Sequence, residues 1–225
     1  MKTVRKLVIV GAGGYGMEAL WLTEDINQSE TMEYTWEVLG FADDNLDKKG
    51  EAFCGYRILG TTEEVCRDLD REVYFHCAIG NNVSRQRVAK LITGRGFQGA
   101  TLIHPSVVFH HSASAGPGAF VSAGSVVAPM AKIGAFAIVN ILAGVGHHSV
   151  IGDFAQVCPG ARVNGWCKIG ELAFIGSNAS IQPGKSVGQG ATLGANAFAS
   201  RSLEPFSTVV GPPSRTLLHS RAQRS

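Results

Sequence analysis

Residues 131–151 read AKIGAFAIVNILAGVGHHSVI, and an aliphatic residue returns there every sixth position: Ile133, Val139, Val145 and Ile151. Upstream the series includes Val121 and Val127. Downstream it continues through Val157, Val163, Ile169, Ile175, Ile181, Val187 and Leu193 without a miss. Two residues before the aliphatic stands a small side chain: Ala131, Ala137, Ala143, Ser149, Ala155, Ala161, Cys167, Ala173, Ala179 and Ala191, with Lys185 the odd one. Gly follows the aliphatic at 134, 152, 170 and 188. Six is not a helical period, but it is even, so each aliphatic points to one side of an extended chain. A sustained hexad repeat is the signature of a parallel β-helix. Three hexads make one 18-residue coil with three flat faces. The aliphatics point inward and stack on those 18 residues away, with coils roughly 4.8 Å apart. Small residues fit the corners, and Gly serves where a turn needs positive φ.

Upstream of the hexads the pattern changes. Lys6 to Val10 is a β-branched run that ends in Gly11-Ala12-Gly13-Gly14-Tyr15-Gly16, and a helix pattern spans Met17 to Gln28. Trp36 to Ala42 is a second strand ending at Asp43-Asp44-Asn45, and Val73 to Ile79 a third ending at Gly80-Asn81-Asn82. A helix over Ser84–Thr93 follows, with Ser84 as its N-cap. Strand, Gly loop and helix in this order describe a small Rossmann-like parallel sheet, whose ligands bind at the carboxyl ends of the strands. The expected organisation is this α/β domain over 1–102, the β-helix over 103–215 and a loose tail over 216–225. Phe109 and Ala115 are imperfect hexad positions, so the first coil is expected to be irregular.

Net charge is +2, the mean hydropathy is +0.10, and basic residues cluster only in the Arg215 to Arg224 tail, which argues against nucleic acid as a partner. The five cysteines form no C-x-x-C pair, so neither a disulfide framework nor a zinc knuckle is indicated. Reduced thiols suit a cytoplasmic protein. Leu7 to Val10 is too short an apolar run for a signal peptide or a membrane span.

Gly11, Gly13 and Gly16 match the G-x-G-x-x-G fingerprint, and bare amides at a helix N-terminus hold phosphate. A nicotinamide site wants an acid about 20 residues on. Asp43 lies further along, and no second mononucleotide half precedes the hexads. A single-nucleotide site fits better than a dehydrogenase, with a purely structural turn as the bland alternative.

GAGGYG, then GFADD, AIGNN, a hexad Gly-His and a closing VVGPPSR resemble one bacterial family, in an order more specific than any one motif. It comprises nucleotide-sugar acyltransferases related to sialic-acid O-acetyltransferases and to UDP-4-amino-sugar or GDP-perosamine N-acetyltransferases. The resemblance implies a left-handed β-helix, a homotrimer and acetyl-CoA bound between neighbouring helices. It also implies a nucleotide-linked amino sugar on the N-terminal domain, for cell-surface polysaccharide synthesis, with no metal. By position, Gly13, Gly14 and Tyr15 match the loop around the nucleotide phosphates, Asp43 and Asp44 the acidic pair that reads the base, and Gly80 a backbone contact. His147 matches the catalytic base, and Gln156, Ser177 and Ala195 match acetyl-CoA contacts. Related members often have His where Gln156 stands. They also follow the catalytic His with Asp or Glu, where this chain has His148. A second imidazole is not expected to orient or charge-pair the first as a carboxylate does.

His147 also follows from chemistry. Acyl transfer from a thioester needs a base within reach of the acceptor and donors for the oxyanion. The residue one coil on from His147 is Gly165, whose uncovered N–H makes it the oxyanion candidate and a further acetyl-CoA contact. Three other classes compete: a zinc hydratase, an O-acetyltransferase and a non-catalytic nucleotide-sugar scaffold. A zinc site wants three His, but His111 and His147 lie two whole coils apart, roughly 10 Å by strand spacing. The scaffold is motivated by the missing acid after His147. Trp166 is expected to pack, with a possible place lining the site.

Overall fold

The computed structural model describes residues 2–211 and 215–219, the last four by backbone alone. The chain divides into two units, 1–105 and 106–225.

The first unit runs β1 (Thr3–Val10), α1 (Gly14–Gln28), β2 (Tyr34–Ala42), β3 (Ala52–Phe53), β4 (Tyr56–Gly60), α2 (Thr62–Asp68), β5 (Tyr74–Cys77), α3 (Asn82–Gly94) and β6 (Gln98–Gly99). Its sheet has the order β3-β4-β2-β1-β5-β6. β1 pairs in parallel with β2 and β5, while β3 meets β4 antiparallel, so the sheet is mixed rather than wholly parallel. The central strand is covered on both faces, which is why Leu7, Val8, Ile9 and Val10 form an unbroken apolar run and are buried. The β3–β4 hairpin and α2 were not expected. The signal for α2 was a capping box: the Thr61 hydroxyl accepts from Glu64 N–H, and the Glu64 carboxylate accepts from Thr61 N–H. α3 begins earlier than expected. Its cap is Asn81, whose Oδ1 accepts from Ser84 N–H at 2.9 Å, so Ser84 is the donor and not the N-cap.

The second unit is a left-handed β-helix built of two-residue strands. Phe120–Val121 pairs with Ile138–Val139, then Gln156–Val157, then Phe174–Ile175, then Thr192–Leu193, each step 18 residues and parallel. The other two faces repeat this register from Val108–Phe109 and from Ser114–Ala115. The first coil is therefore regular in pairing, contrary to expectation, because the backbone ladder does not depend on an aliphatic at 109 and 115. The inward aliphatics from Val121 to Leu193 are at most 3% exposed, and the small residues two positions earlier are buried beside them.

The corners differ from the expected chemistry. The left-handed φ recurs three residues before each aliphatic, and most of these residues are not Gly: Met130, Phe136, Leu142, His148, Phe154, Trp166, Leu172, Asn178 and Asn196. Each costs roughly 1–2 kcal/mol in backbone strain. The offset is a hydrogen bond to the neighbouring coil, as in His148 N–H to Pro129 O at 3.0 Å and Trp166 N–H to His147 O at 2.9 Å. Stacking of corner side chains adds to it, as Phe136 lies on Phe154 with centroids 5.5 Å apart. Gly134, Gly152 and Gly170 are needed for another reason. A Cβ there would come within 2.6 Å of the backbone one coil away.

The tail expected to be loose from Thr216 is partly ordered. Arg215–His219 pairs antiparallel with Ser207–Val210. Residues 220–225 lie outside the described residues, as do Pro212 to Ser214 of the VVGPPSR segment.

Candidate active site

His147 and His148 follow the strand Gly144–Val145, at a corner that turns out of one face of the β-helix. One coil on, Gly165 and Trp166 occupy the same corner after Arg162–Val163. Gly165 lies directly against His147: a Cβ on it would stand 2.6 Å from Nε2 and 2.7 Å from Cε1 of the imidazole. Among the described residues none accepts from the Gly165 N–H, while its carbonyl accepts from Gly184 N–H at 3.0 Å. Both histidines are exposed. Their Nδ1 atoms are 3.2 Å apart, a hydrogen bond between the two rings. Trp166, expected to pack or to line the site, is 59% exposed. Its ring stacks on His148 at 4.0 Å and 12° and meets His147 edge-on at 6.0 Å. His148 is thus in hydrogen-bond contact with His147, and the Trp166 ring lies against its face.

Asp153, the nearest acid in sequence, is committed elsewhere. Its Oδ1 accepts from Ala135 N–H at 2.8 Å. A groove of about 340 Å³ runs beside the corner, lined by Gly124, Leu142, Gly144, Gly146, Arg162 and Asn164 among others. Arg162 is held along it by donating to Leu142 O.

Gln156, Ser177 and Ala195 do not join this cluster within one chain. Ser177 and Ala195 stack one coil apart at the corner marked by Asn178 and Asn196, where Asn196 N–H donates to Ser177 O at 2.8 Å. Gln156 sits on the strand facing Phe174, with its Oε1 buried and unpartnered among the described residues. Thus the corner of His147 and Gly165 and the residues Gln156, Ser177 and Ala195 lie on different parts of one β-helix.

In the first unit the structure gathers Gly11, Asp43, Asp44 and Ser84 at the carboxyl ends of β1 and β2 and the start of α3. They line a pocket of about 210 Å³ together with Thr62 and Arg87. Asp43 ties the Gly loop to the second strand: its carboxylate accepts from Ala12 N–H and Asn45 N–H, each at 2.9 Å, and from Lys48 Nζ at 3.2 Å. Partial burial pushes its pKa up, but these hydrogen bonds outweigh burial and hold it below the ordinary carboxylate value. Asp44 accepts from Thr62 N–H at 2.9 Å and so caps the start of α2. Both acids carry a structural role besides the one expected of them.

The glycines sort by the space around them. Gly11 has φ +109°, and a Cβ on it would lie 2.6 Å from Ala78 O, so the fold itself demands Gly there. Gly13, Gly14 and Gly80 have open space where a Cβ would stand, so packing does not require Gly at any of them. Open room over bare amides at the start of α1 suits a phosphate. Tyr15 turns its ring inward, edge-on to His76 at 6.1 Å, and burial pushes its phenol pKa up. Arg87 escaped the sequence reading. It is exposed in this pocket and has no carboxylate partner among the described residues, and its place on α3 carries no motif that marks it.

The chain is similar to known proteins. The family model of the PglD N-terminal domain matches residues 6–92. The chain is 34% identical over 153 residues to GDP-perosamine N-acetyltransferase of Escherichia coli O157:H7, a match spanning 68% of this chain and 66% of that protein. Among solved structures, the acetyltransferase domain of PglB from Neisseria gonorrhoeae in complex with acetyl coenzyme A superposes with a TM-score of 0.86 at 32% identity. That match covers 95% of this chain and 99% of that one. PerB from Caulobacter crescentus, in complex with CoA and GDP-perosamine, gives 0.84 at 26% identity, covering 95% and 97%. The chain belongs to the hexapeptide-repeat acetyltransferases. The acetyltransferase has no helix among its described residues long and apolar enough to cross a membrane. Nor do its described residues include a group of three His, Cys, Asp or Glu placed to hold a metal ion.

Proposed function

We propose that this acetyltransferase moves an acetyl group from acetyl-CoA to the amine of a nucleotide-linked amino sugar, working as a homotrimer in the cytoplasm. The observation that carries the reading is the His147 imidazole with its Nε2 over the backbone of Gly165. The amine nitrogen attacks the thioester carbonyl directly. A C–N bond forms, and His147 Nε2 takes the proton that the nitrogen gives up. The Gly165 N–H is the donor for the oxyanion. The C–S bond then breaks, and the CoA thiolate leaves and recovers a proton as CoASH.

The nucleotide is held by the first unit, with Gly13, Gly14, Tyr15 N–H and Gly80 around the diphosphate and Asp43, Asp44 and Arg87 about the base. Support comes from the open space over those glycines and from the similarity to PerB, solved with GDP-perosamine. A neighbouring copy would bring its Gln156, Ser177 and Ala195 edge to the His147 corner, which is why the trimer belongs to the proposal. Light scattering should return three times 23.8 kDa.

A nucleotide-sugar-binding scaffold without turnover is the second reading, favoured by His148 standing where an acid is expected. A thermal-shift screen of nucleotide amino sugars with and without acetyl-CoA separates the two. Stabilisation by both ligands, with CoASH released on mixing, supports the enzyme. Stabilisation by the nucleotide sugar alone, with no CoASH, selects the scaffold.

A further inference from the structure

The geometry points to His148 as the positioning residue that replaces the missing carboxylate, by fixing which nitrogen of His147 carries the proton. The inference rests on the acyltransferase reading above. The two Nδ1 atoms are 3.2 Å apart, and one proton lies between them. A neutral imidazole has one N–H and one lone pair. Two arrangements exist. If His147 donates, its Nδ1 carries the proton and its Nε2, the atom beside Gly165, is a free lone pair ready to act as base. If His148 donates, His147 carries its proton on Nε2 and has no lone pair facing the acceptor. Only the first supports general-base chemistry at that atom. It requires His148 to be protonated at Nε2, on a ring that is exposed to water.

The surroundings hold His148 to the task. Its backbone sits at φ +58°, pinned by the hydrogen bond to Pro129 O, and Trp166 covers one face of its ring at 4.0 Å. The stack fixes the ring plane and aims Nδ1 at His147. It also favours positive charge on the pair, since a cation over an indole face is attracted by the ring quadrupole. When His147 Nε2 takes the acceptor's proton, its Nδ1–H remains donated to His148 Nδ1, and the new charge is shared between two rings against Trp166. The proton then leaves with the departing thiol, and the pair returns to its starting state.

The corner chemistry supplies clean variants. Phe136 and Phe154 already occupy equivalent left-handed corners, so His148→Phe fits the backbone, keeps the stack on Trp166 and removes only the acceptor. Asn178 and Asn196 occupy others, so His148→Asn also fits and presents Oδ1 near where Nδ1 stood. The Phe variant should lose about tenfold or more of kcat with KM little changed, because the tautomer is no longer set. The Asn variant should recover most of that loss. On the wild-type protein without ligands, 15N chemical shifts of the His147 ring should show a protonated Nδ1 and an unprotonated Nε2. Wild-type kcat in the Phe variant, no recovery in the Asn variant, or a protonated Nε2 on neutral His147 would each overturn the inference. A wild-type protein that releases no CoASH would instead defeat the acyltransferase reading, and the 15N measurement reports the tautomer independently of that.

Discussion

Replacing Gly165 by alanine adds one methyl group against the His147 imidazole and nothing else. Gly165 does not sit in the left-handed region, so its backbone accepts an L side chain. The same hexad place, two residues after the aliphatic, already carries Ala135 and Ala195 in other coils. Folding should therefore be unaffected or slightly helped, since a compatible Gly-to-Ala change contributes roughly 0.4–1 kcal/mol through the unfolded chain. The new Cβ would stand 2.6 Å from His147 Nε2, where ordinary contact begins at 3.4 Å. The ring must then retreat by about 0.8 Å or rotate away. Misplacement of a catalytic group by about 1 Å costs on the order of 10²-fold in rate. The alanine keeps its N–H, so the oxyanion donor survives and the loss reports the ring position alone. The assay is CoASH release against a nucleotide amino sugar, alongside thermal unfolding and light scattering. A variant with wild-type kcat would show that the rate does not depend on where the His147 ring stands, and the argument from the stacked coil would fail.

His147→Ala should lower kcat by about 10²–10⁴-fold, with melting temperature and trimer mass unchanged; equal rates would remove the protein base from this corner altogether. Asp43→Ala should weaken nucleotide-sugar binding in calorimetry while leaving acetyl-CoA binding intact, because the Gly loop loses its tie to the second strand; equal loss of both ligands would mark Asp43 as a folding residue only. Stability should fall on acidification from about pH 6.5 to pH 4 on account of His76. Burial pulls its pKa down to about 4, so over that window the unfolded chain binds a proton that the folded chain refuses. The full effect is about 3 kcal/mol, visible as a falling urea midpoint, and His76→Phe should flatten the slope; an unchanged slope would place the titration elsewhere.

The β-helix was legible because each hexad repeats one burial decision, and thirteen agreeing positions leave no rival period. Stacking by 18 also tied His147 to Gly165 before any coordinates, and the same rule applied to 148 would have found Trp166. Trp166 was read first as packing, with a place lining the site as the alternative, and the left-handed corner turns it outward. The hairpin at 52–60 and the seven-residue α2 were missed because elements so short repeat their hydrophobic period too few times to stand out. The mixed sheet follows from that hairpin. Asp43 and Asp44 were found by their place at a strand end, but their hydrogen bonds to Ala12 and Thr62 cross 31 and 18 residues and leave no local mark.

A stack of near-identical coils has no natural length, since its terminal rung leaves unpaired the edge on which every lower rung carries another. Such an edge invites another molecule to add on end to end. Here the chain reverses after Ser207–Val210, and Arg215–His219 is laid against it in the opposite direction. An incoming molecule that presents a parallel strand in the 18-residue register meets a final strand running the wrong way on that face.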